Sequence, residues 1–290
     1  MTRRSDWTNA TPPSHMVGHV LRPEEYLSRA RYDFAAPDER LSPWVERYWS
    51  SRWSLGADRF AVATLDDPSV HLTAERGGVQ RAGVDGSGVW VTGPITRGRF
   101  DVTLFADGSV VGVKFRLGGT LAFTDASLAA VRDATVPAAS WFESADGLAD
   151  LPGAATEAAP LLDAWLLSRS PRSPDGFVAF QRALTELADP AVTRLDALAG
   201  RTHTSVRSLQ RLFHRFLGVG PKRMLLRARV SDAVAAIDRG WTGSWAELAS
   251  TYGWFDQAHF IRDFRQITGH TPAAYAASRR ANQWGAGEGT

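Results

Sequence analysis

The 290-residue chain has no cysteine and only three methionines. Without a thiol there can be no disulfide, no thiolate metal ligand and no cysteine nucleophile, a usage that suits a reducing cytoplasm. Long apolar runs are missing too: none approaches the roughly 20 residues that span a bilayer. The Arg3-Arg4 pair is followed by no apolar stretch, so neither a signal peptide nor a membrane partner is expected, and a cytoplasmic location is. Histidine is scarce, with His71 the only one between His19 and His203. A site of clustered histidines is therefore unavailable in that span, and neither metal nor other cofactor is expected. No Gly-x-Ser-x-Gly elbow, phosphate loop or His–Glu cluster occurs, so the chain does not read as an enzyme.

What remains is globular in composition, 44% apolar and 22% charged, in a length that suits two domains. The net charge is only +2, but it is divided unevenly. Residues 189–290 hold 14 Lys and Arg against 8 Asp and Glu, whereas residues 1–188 hold 19 against 23. A basic module joined to a mildly acidic one suggests one part that meets a polyanion and another with a different partner.

From Leu41 to about Phe123 the texture is β, with short runs of Val, Phe, Trp and Thr between turn residues. Asp107-Gly108 predicts a hairpin joining strands at 100–105 and 110–115. A second hairpin is expected to pivot on Asp66-Asp67-Pro68-Ser69. Helices are expected at 22–30, 120–131 and 158–168. The last carries a stripe of Leu161, Leu162, Trp165 and Leu166 that would pack on the β region or across a homodimer. Residues 169–176, Arg-Ser-Pro-Arg-Ser-Pro-Asp-Gly, read as a flexible linker. After it the texture is wholly helical.

In that helical half one design occurs twice. Thr204 offers an N-cap to a helix whose Leu209, Leu212, Phe213 and Phe216 face inward, leaving Arg207, Ser208, Gln210, Arg211 and Arg215 to project. Downstream, Ser244 caps a short helix, and Asp256 caps another with Phe260, Phe264 and Ile267 inward. There Gln257, His259, Arg262 and Arg265 point outward. Between them residues 221–238 form an amphipathic strut of roughly 27 Å, near the ~34 Å between successive major grooves. Arg and Gln are the donors best matched to guanine and adenine edges, so each unit suits a recognition helix.

The segment Ser208-Leu209-Gln210-Arg211-Leu212-Phe213-His214-Arg215-Phe216-Leu217-Gly218-Val219-Gly220-Pro221 resembles the first half of AraC/XylS-type DNA-binding domains. The second half resembles Gly253-Trp254-Phe255-Asp256-Gln257-Ala258-His259-Phe260-Ile261-Arg262-Asp263-Phe264-Arg265 with Thr268-Gly269-His270-Thr271-Pro272-Ala273-Ala274-Tyr275. The resemblance implies a transcriptional regulator that binds double-stranded DNA. Its base contacts would come from Arg207, Gln210 and Arg211 in one helix and from Gln257, Ala258 and Arg262 in the other. Ala258 departs from the polar base reader usual there and leaves a thymine-methyl contact instead. RNA polymerase and a second copy of the chain are the further partners such a regulator implies.

The β region resembles the cupin-like sensor half of one group of these regulators. Trp49, Trp90 and Phe115 could line an effector pocket or simply fill the core of a small barrel, and Arg116 could meet an anionic effector or pair at a strand end. The acidic balance favours an uncharged or weakly cationic ligand. The expected fold is α+β and multidomain: a β-rich sensor or dimerisation domain at 1–168, the linker at 169–176, two helix-turn-helix units joined by a long helix at 177–280, and a tail at 281–290. Control by a small-molecule effector is expected. The alternative is an effector-independent regulator whose β domain only dimerises or binds a protein.

Overall fold

A computed structural model describes residues 20–285 except 66, 67 and 190. Strand β1 (Val20–Leu21) leads into α1 (Pro23–Arg29), where Pro23 takes the first helical position and Glu24 and Glu25 meet the positive end of the helix dipole. There follow β2 (Ala30–Ala35), β3 (Val45–Thr64), β4 (His71–Arg81), β5 (Val84–Asp85), β6 (Gly88–Thr92), β7 (Phe100–Phe115) and β8 (Thr135–Pro137). They form one antiparallel sheet along the path β1-β3-β7-β4-β6-β8, with β2 added to β3 and β5 to β4.

Neither expected hairpin forms. β7 is a single strand that runs against β3 from Phe115 opposite Val45 to Phe100 opposite Thr64, so Asp107-Gly108 does not reverse the chain. It marks a bend instead. Ala106 has φ of 48°, and the register slips between Ser54 and Arg59 on β3 and between Gly77 and Val79 on β4 at the same level. Bulges side by side on adjacent strands fold the sheet sharply, and they demand the same permissive backbone that a tight turn does. The second hairpin fails because β3 and β4 flank β7 on opposite sides rather than pairing; Asp66 and Asp67 of its turn lie outside the described residues.

Alternation along the strands then divides the side chains. Tyr48, Leu72, Val111, Val113 and Phe115 pack on one face beneath α2 (Ala155–Leu167). Their neighbours Trp49, His71, Thr73, Val110 and Lys114 turn to the hollow of the bent sheet. On α2, Leu162 and Leu166 are 1% and 0% exposed in that core, and Asp163 accepts hydrogen bonds from the Tyr48 hydroxyl (2.6 Å) and the Asp38 amide (2.9 Å). Leu161 is exposed. The stripe therefore packs on the β unit, and Leu162→Glu should unfold that unit rather than shift a dimer to monomer. Leu162→Ala should cost about 2–5 kcal/mol by chemical denaturation. The helix expected at 120–131 is instead two short 3₁₀ turns, Gly119–Ala122 and Leu128–Val131.

The helical part comprises α3 (Phe177–Leu187), α4 (Leu195–Arg201), α5 (Val206–Leu217), α6 (Pro221–Asp238), α7 (Trp245–Thr251), α8 (Gln257–Thr268) and α9 (Pro272–Gly285). α9 passes the boundary expected at 280, and residues 286–290 lie outside the described ones. Two cores hold these helices, one around Phe180, Phe213 and Phe216, the other around Phe260, Phe264 and Tyr275. α6 serves both, through Met224 and Leu225 at its start and Val230, Val234 and Ile237 further on. One continuous helix thus ties the two helical units at a set spacing.

The sheet and the helices also share these cores. Leu21, Ala63 and Leu65 enter the second, and Trp44, Leu117 and Leu121 pack against the first. Gly118, at φ +76°, permits this approach: a Cβ there would lie 2.9 Å from Phe180 and 3.0 Å from Phe216. The expected flexible linker is anchored. Arg169 lies 3.9 Å from the centre of the Trp165 ring, the Arg172 amide donates to Ala122 O at 3.1 Å, and Trp44 Nε1 donates to Ser173 Oγ at 3.3 Å.

Candidate nucleic-acid interface

α5 and α8 follow one plan. Each has 12 residues, a polar N-cap and a left-handed glycine after its last turn, Gly218 at φ 68° and Gly269 at φ 80°. The first cap is Ser205, one residue later than the sequence suggests; its Oγ accepts from the Ser208 amide at 3.1 Å. Asp256 Oδ1 accepts from the His259 amide at 2.6 Å. Leu209, Phe213 and Phe216 pin the first helix and Phe260, Phe264 and Ile267 the second, all buried. α7 enters through a full capping box between Ser244 and Glu247.

The outward residues divide by what they touch. Arg207, Gln210, Arg211, Gln257, Arg262 and Arg265 are exposed, and their side chains make no hydrogen bond or ion pair among the described residues. Ala258 is exposed beside them. Arg215 lies over the Phe216 ring, 5.3 Å from its centre. Ser208 is half-buried, its hydroxyl engaged by Ser205 Oγ at 3.0 Å. His259 Nε2 stands 3.1 Å from Asp263 Oδ2, which also accepts from Trp254 Nε1 at 2.9 Å, so this histidine is held to its own helix.

Other arginines of the basic half are engaged within the chain. Arg194 pairs with Asp196 and Arg201 with Asp189 and Glu186; the Ala191 amide and then Arg201 lower the pKa of Asp189 by hydrogen bonding, and Arg194 does the same for Asp196. Arg229 donates to Gly253 O at 2.9 Å. Arg223 donates to Thr96 O (2.7 Å) and Arg97 O (2.9 Å), and Arg227 to Gly98 O (2.7 Å). Among the described residues of the basic half the unengaged cations are thus Arg207, Arg211, Arg262 and Arg265 on α5 and α8, with Lys222 and Arg239 at the two ends of α6.

The bent sheet encloses a cavity of about 190 Å³. Trp49, Trp53, Tyr26, Tyr32 and Phe100 supply aromatic walls. Burial raises the Tyr26 phenol to about 12, so it stays a neutral hydroxyl donating to Ser51 Oγ at 2.6 Å. Arg81, whose side chain is 3% exposed, pairs with Glu75 at 2.5 Å, leaving its Nη2 without a partner; Trp49 Nε1 is likewise buried and unpartnered. Lys114 and, from α6, Arg227 complete the charged lining. Of the residues expected around an effector, Trp49 lines this cavity. Trp90 lies beside it over Gly88, Phe115 sits in the α2 core, and Arg116 turns outward to donate to Ser42 O at 2.7 Å. Sequence reading missed Arg227, although a cation between the core positions Leu225 and Ala228 of an amphipathic helix was a usable signal. Among the described residues no group of three His, Asp or Glu could hold a metal ion, and no helix is long and apolar enough to cross a membrane.

Residues 198–278 match a family model described as a helix-turn-helix domain, and residues 33–137 one described as a domain of unknown function. Among solved structures, the chain is similar to the DNA-binding domain of AdpA, a global transcriptional factor crystallised with a target DNA. Identity there is 25%, coverage 36% of this chain and 96% of that one, and the TM-score 0.33. An AraC-type transcriptional regulator from Chromobacterium violaceum shows 24% identity over 35% of this chain and 91% of its own, with a TM-score of 0.32. ToxT from Vibrio cholerae shows 10% identity over 86% of this chain and 98% of its own, with a TM-score of 0.43.

Proposed function

We propose, from the premise that residues 198–278 are an AraC-type DNA-binding domain of a transcriptional regulator, that the chain reads a specific duplex site with α5 and α8 and that a small molecule in the sheet cavity adjusts its affinity. The observation that carries DNA reading is the pair of like-capped helices on which Arg207, Gln210, Arg211, Gln257, Arg262 and Arg265 make no hydrogen bond or ion pair among the described residues. In this reading Arg207, Gln210 and Arg211 meet bases in one major groove, and Gln257, Ala258 and Arg262 meet them in the next. Arg215 and Arg265 suit phosphates, and the 18-residue strut between the helices, roughly 27 Å long, falls about 7 Å short of the ~34 Å groove spacing, a difference that the offset of α5 and α8 from its ends would make up. Residues 1–168 form the sensing unit and 177–280 the reading unit. The test uses the full chain and duplexes recovered from fragmented genomic DNA. Affinity should fall steeply with salt, about 0.9 log unit per log unit of salt for each phosphate engaged. Binding that ignores salt would overturn the reading.

Effector control has its own support. Two buried donors in the cavity wall, Arg81 Nη2 and Trp49 Nε1, lack partners, and an unpaired buried donor costs about 1–3 kcal/mol. The lining cations are largely answered: Arg81 pairs with Glu75, Arg47 and Lys114 pair with Glu46 at 3.0 and 3.4 Å, and Arg227 donates to Gly98 O. The two unpartnered donors, one of them on a guanidinium, favour an acceptor-rich head such as a carboxylate on an apolar body over the uncharged or cationic ligand that the domain's acidic composition suggests. The route to DNA is short. Gly93, Ile95 and Phe100 line the cavity, and the segment between them holds α6 through its carbonyls. Arg99 of that segment donates to Thr268 O at the end of α8, at 3.0 Å. A thermal-shift screen of small carboxylic acids should give a stabilising compound that also changes DNA affinity by about 5–150-fold, with the effect reduced in Arg227→Met. Stabilisation without any change in DNA affinity would favour the alternative of a β domain that only dimerises or binds a protein.

A further inference from the structure

Phe255 is 94% exposed, the most exposed of the large apolar side chains among the described residues. It directly precedes Asp256, the N-cap of α8. An apolar residue at that place ordinarily folds back onto the first turn of the helix as a hydrophobic staple. Here the neighbouring Trp254 has taken that role. Its ring lies 4.9 Å from that of Phe260, it is 4% exposed, and its Nε1 donates to Asp263 at 2.9 Å. Phe255 is thus left with no packing duty, while an exposed phenyl forgoes the burial that makes such a side chain favourable.

Its position suggests what covers it. Ala258 lies three residues on, and Arg262 and Arg265 continue the same side of the helix at spacings of four and seven from Ala258. Gln257 is exposed at the same end. These cations have no partner among the described residues, so the surface around Phe255 is electrostatically complementary to a phosphate backbone. Within a major groove, the apolar feature available to a phenyl and an alanine methyl is the C5-methyl of thymine. We infer that Phe255, together with Ala258, reads thymine methyl groups in the half-site bound by α8. This rests on the DNA-binding reading above and assigns Phe255 as a specificity-determining residue within it.

The experiment uses the full chain and the tightest duplex recovered by selection from a random-sequence library. Each thymine of the α8 half-site is replaced singly by deoxyuridine, which removes the methyl and alters no Watson–Crick pair. Wild-type protein should lose roughly four-fold in affinity at one or two positions, the factor that burying one methyl-sized group supplies. Phe255→Ala should bind the thymine duplex more weakly and no longer distinguish uracil from thymine there, and Phe255→Leu should recover part of both. Because Phe255 touches no core, circular dichroism and melting of these variants should match wild type. A wild-type chain that binds every uracil duplex as tightly as the thymine one overturns the inference alone. So does a Phe255→Ala loss that is equal on thymine and uracil, and so does no loss on either, the result expected if the phenyl docks a protein instead. A chain that binds no duplex in a salt-sensitive way overturns the DNA-binding reading itself, and this inference with it.

Discussion

Alanine at both Arg211 and Arg262 should weaken binding to the selected duplex by about 2–6 kcal/mol, two base contacts worth about 1–3 kcal/mol each. The arginines sit on different helices, share no partner and touch no core, so their effects should add and the fold should survive. On a scrambled duplex the loss should be much smaller, because only charge is removed there. Arg194→Ala and Arg201→Ala are the controls: these arginines already pair with Asp196 and Asp189, and their removal should change affinity little. Anisotropy titrations on both duplexes decide the matter. Equal losses on the selected and scrambled sequences would reassign Arg211 and Arg262 to the phosphates.

The second large effect is expected in the cavity wall. Arg81 Nη1 lies 2.5 Å from Glu75 Oε2, with the two side chains 3% and 5% exposed, and Thr73 Oγ1 donates to the other carboxylate oxygen at 2.7 Å. Glu75→Leu removes the counter-charge and leaves a guanidinium in the interior, a loss of about 3–5 kcal/mol. At about 2–4 °C per kcal/mol, the melting temperature should fall by roughly 6–20 °C. Replacing both partners, as in Glu75→Leu with Arg81→Met, should restore most of the stability, because an apolar pair of similar volume needs no compensation. That double variant also lacks the unpartnered Arg81 donor, so it should fold and yet fail to answer a cavity ligand. Glu75→Leu melting as high as wild type would show that the pair is not a buried charge pair.

How much was legible depended on the range of the cause. The caps and stripes of α5 and α8 are visible within a dozen residues, since Ser205, Asp256, Gly218 and Gly269 act on backbone groups three or four positions away. The exposed arginines followed from the same periodicity. Asp107-Gly108 misled because a turn and a bulge ask the same backbone freedom of the local chain, and strands β3 and β4, some 30–50 residues earlier in sequence, decide between them. The 120–131 segment has helical composition but is shaped by packing against the sheet and α5. Phe115 and Trp90 looked like pocket residues because aromatic character is local, whereas the face a side chain takes depends on register.

By itself the sequence determined the two-part organisation, the helix-turn-helix repetition, the strut between the units and the outward face of α5 and α8, because each rests on spacing along a single helix or on composition. Tertiary structure alone decided which arginines are unengaged, that the expected linker is anchored, and that Arg227 of α6 reaches the cavity of the sheet. It also decided that Trp254 rather than Phe255 staples α8, leaving the phenyl exposed. These are questions of which partner is nearer in space. Hydrogen bonds and ion pairs act over a few ångströms whatever the distance along the chain, so no local pattern could encode their outcome.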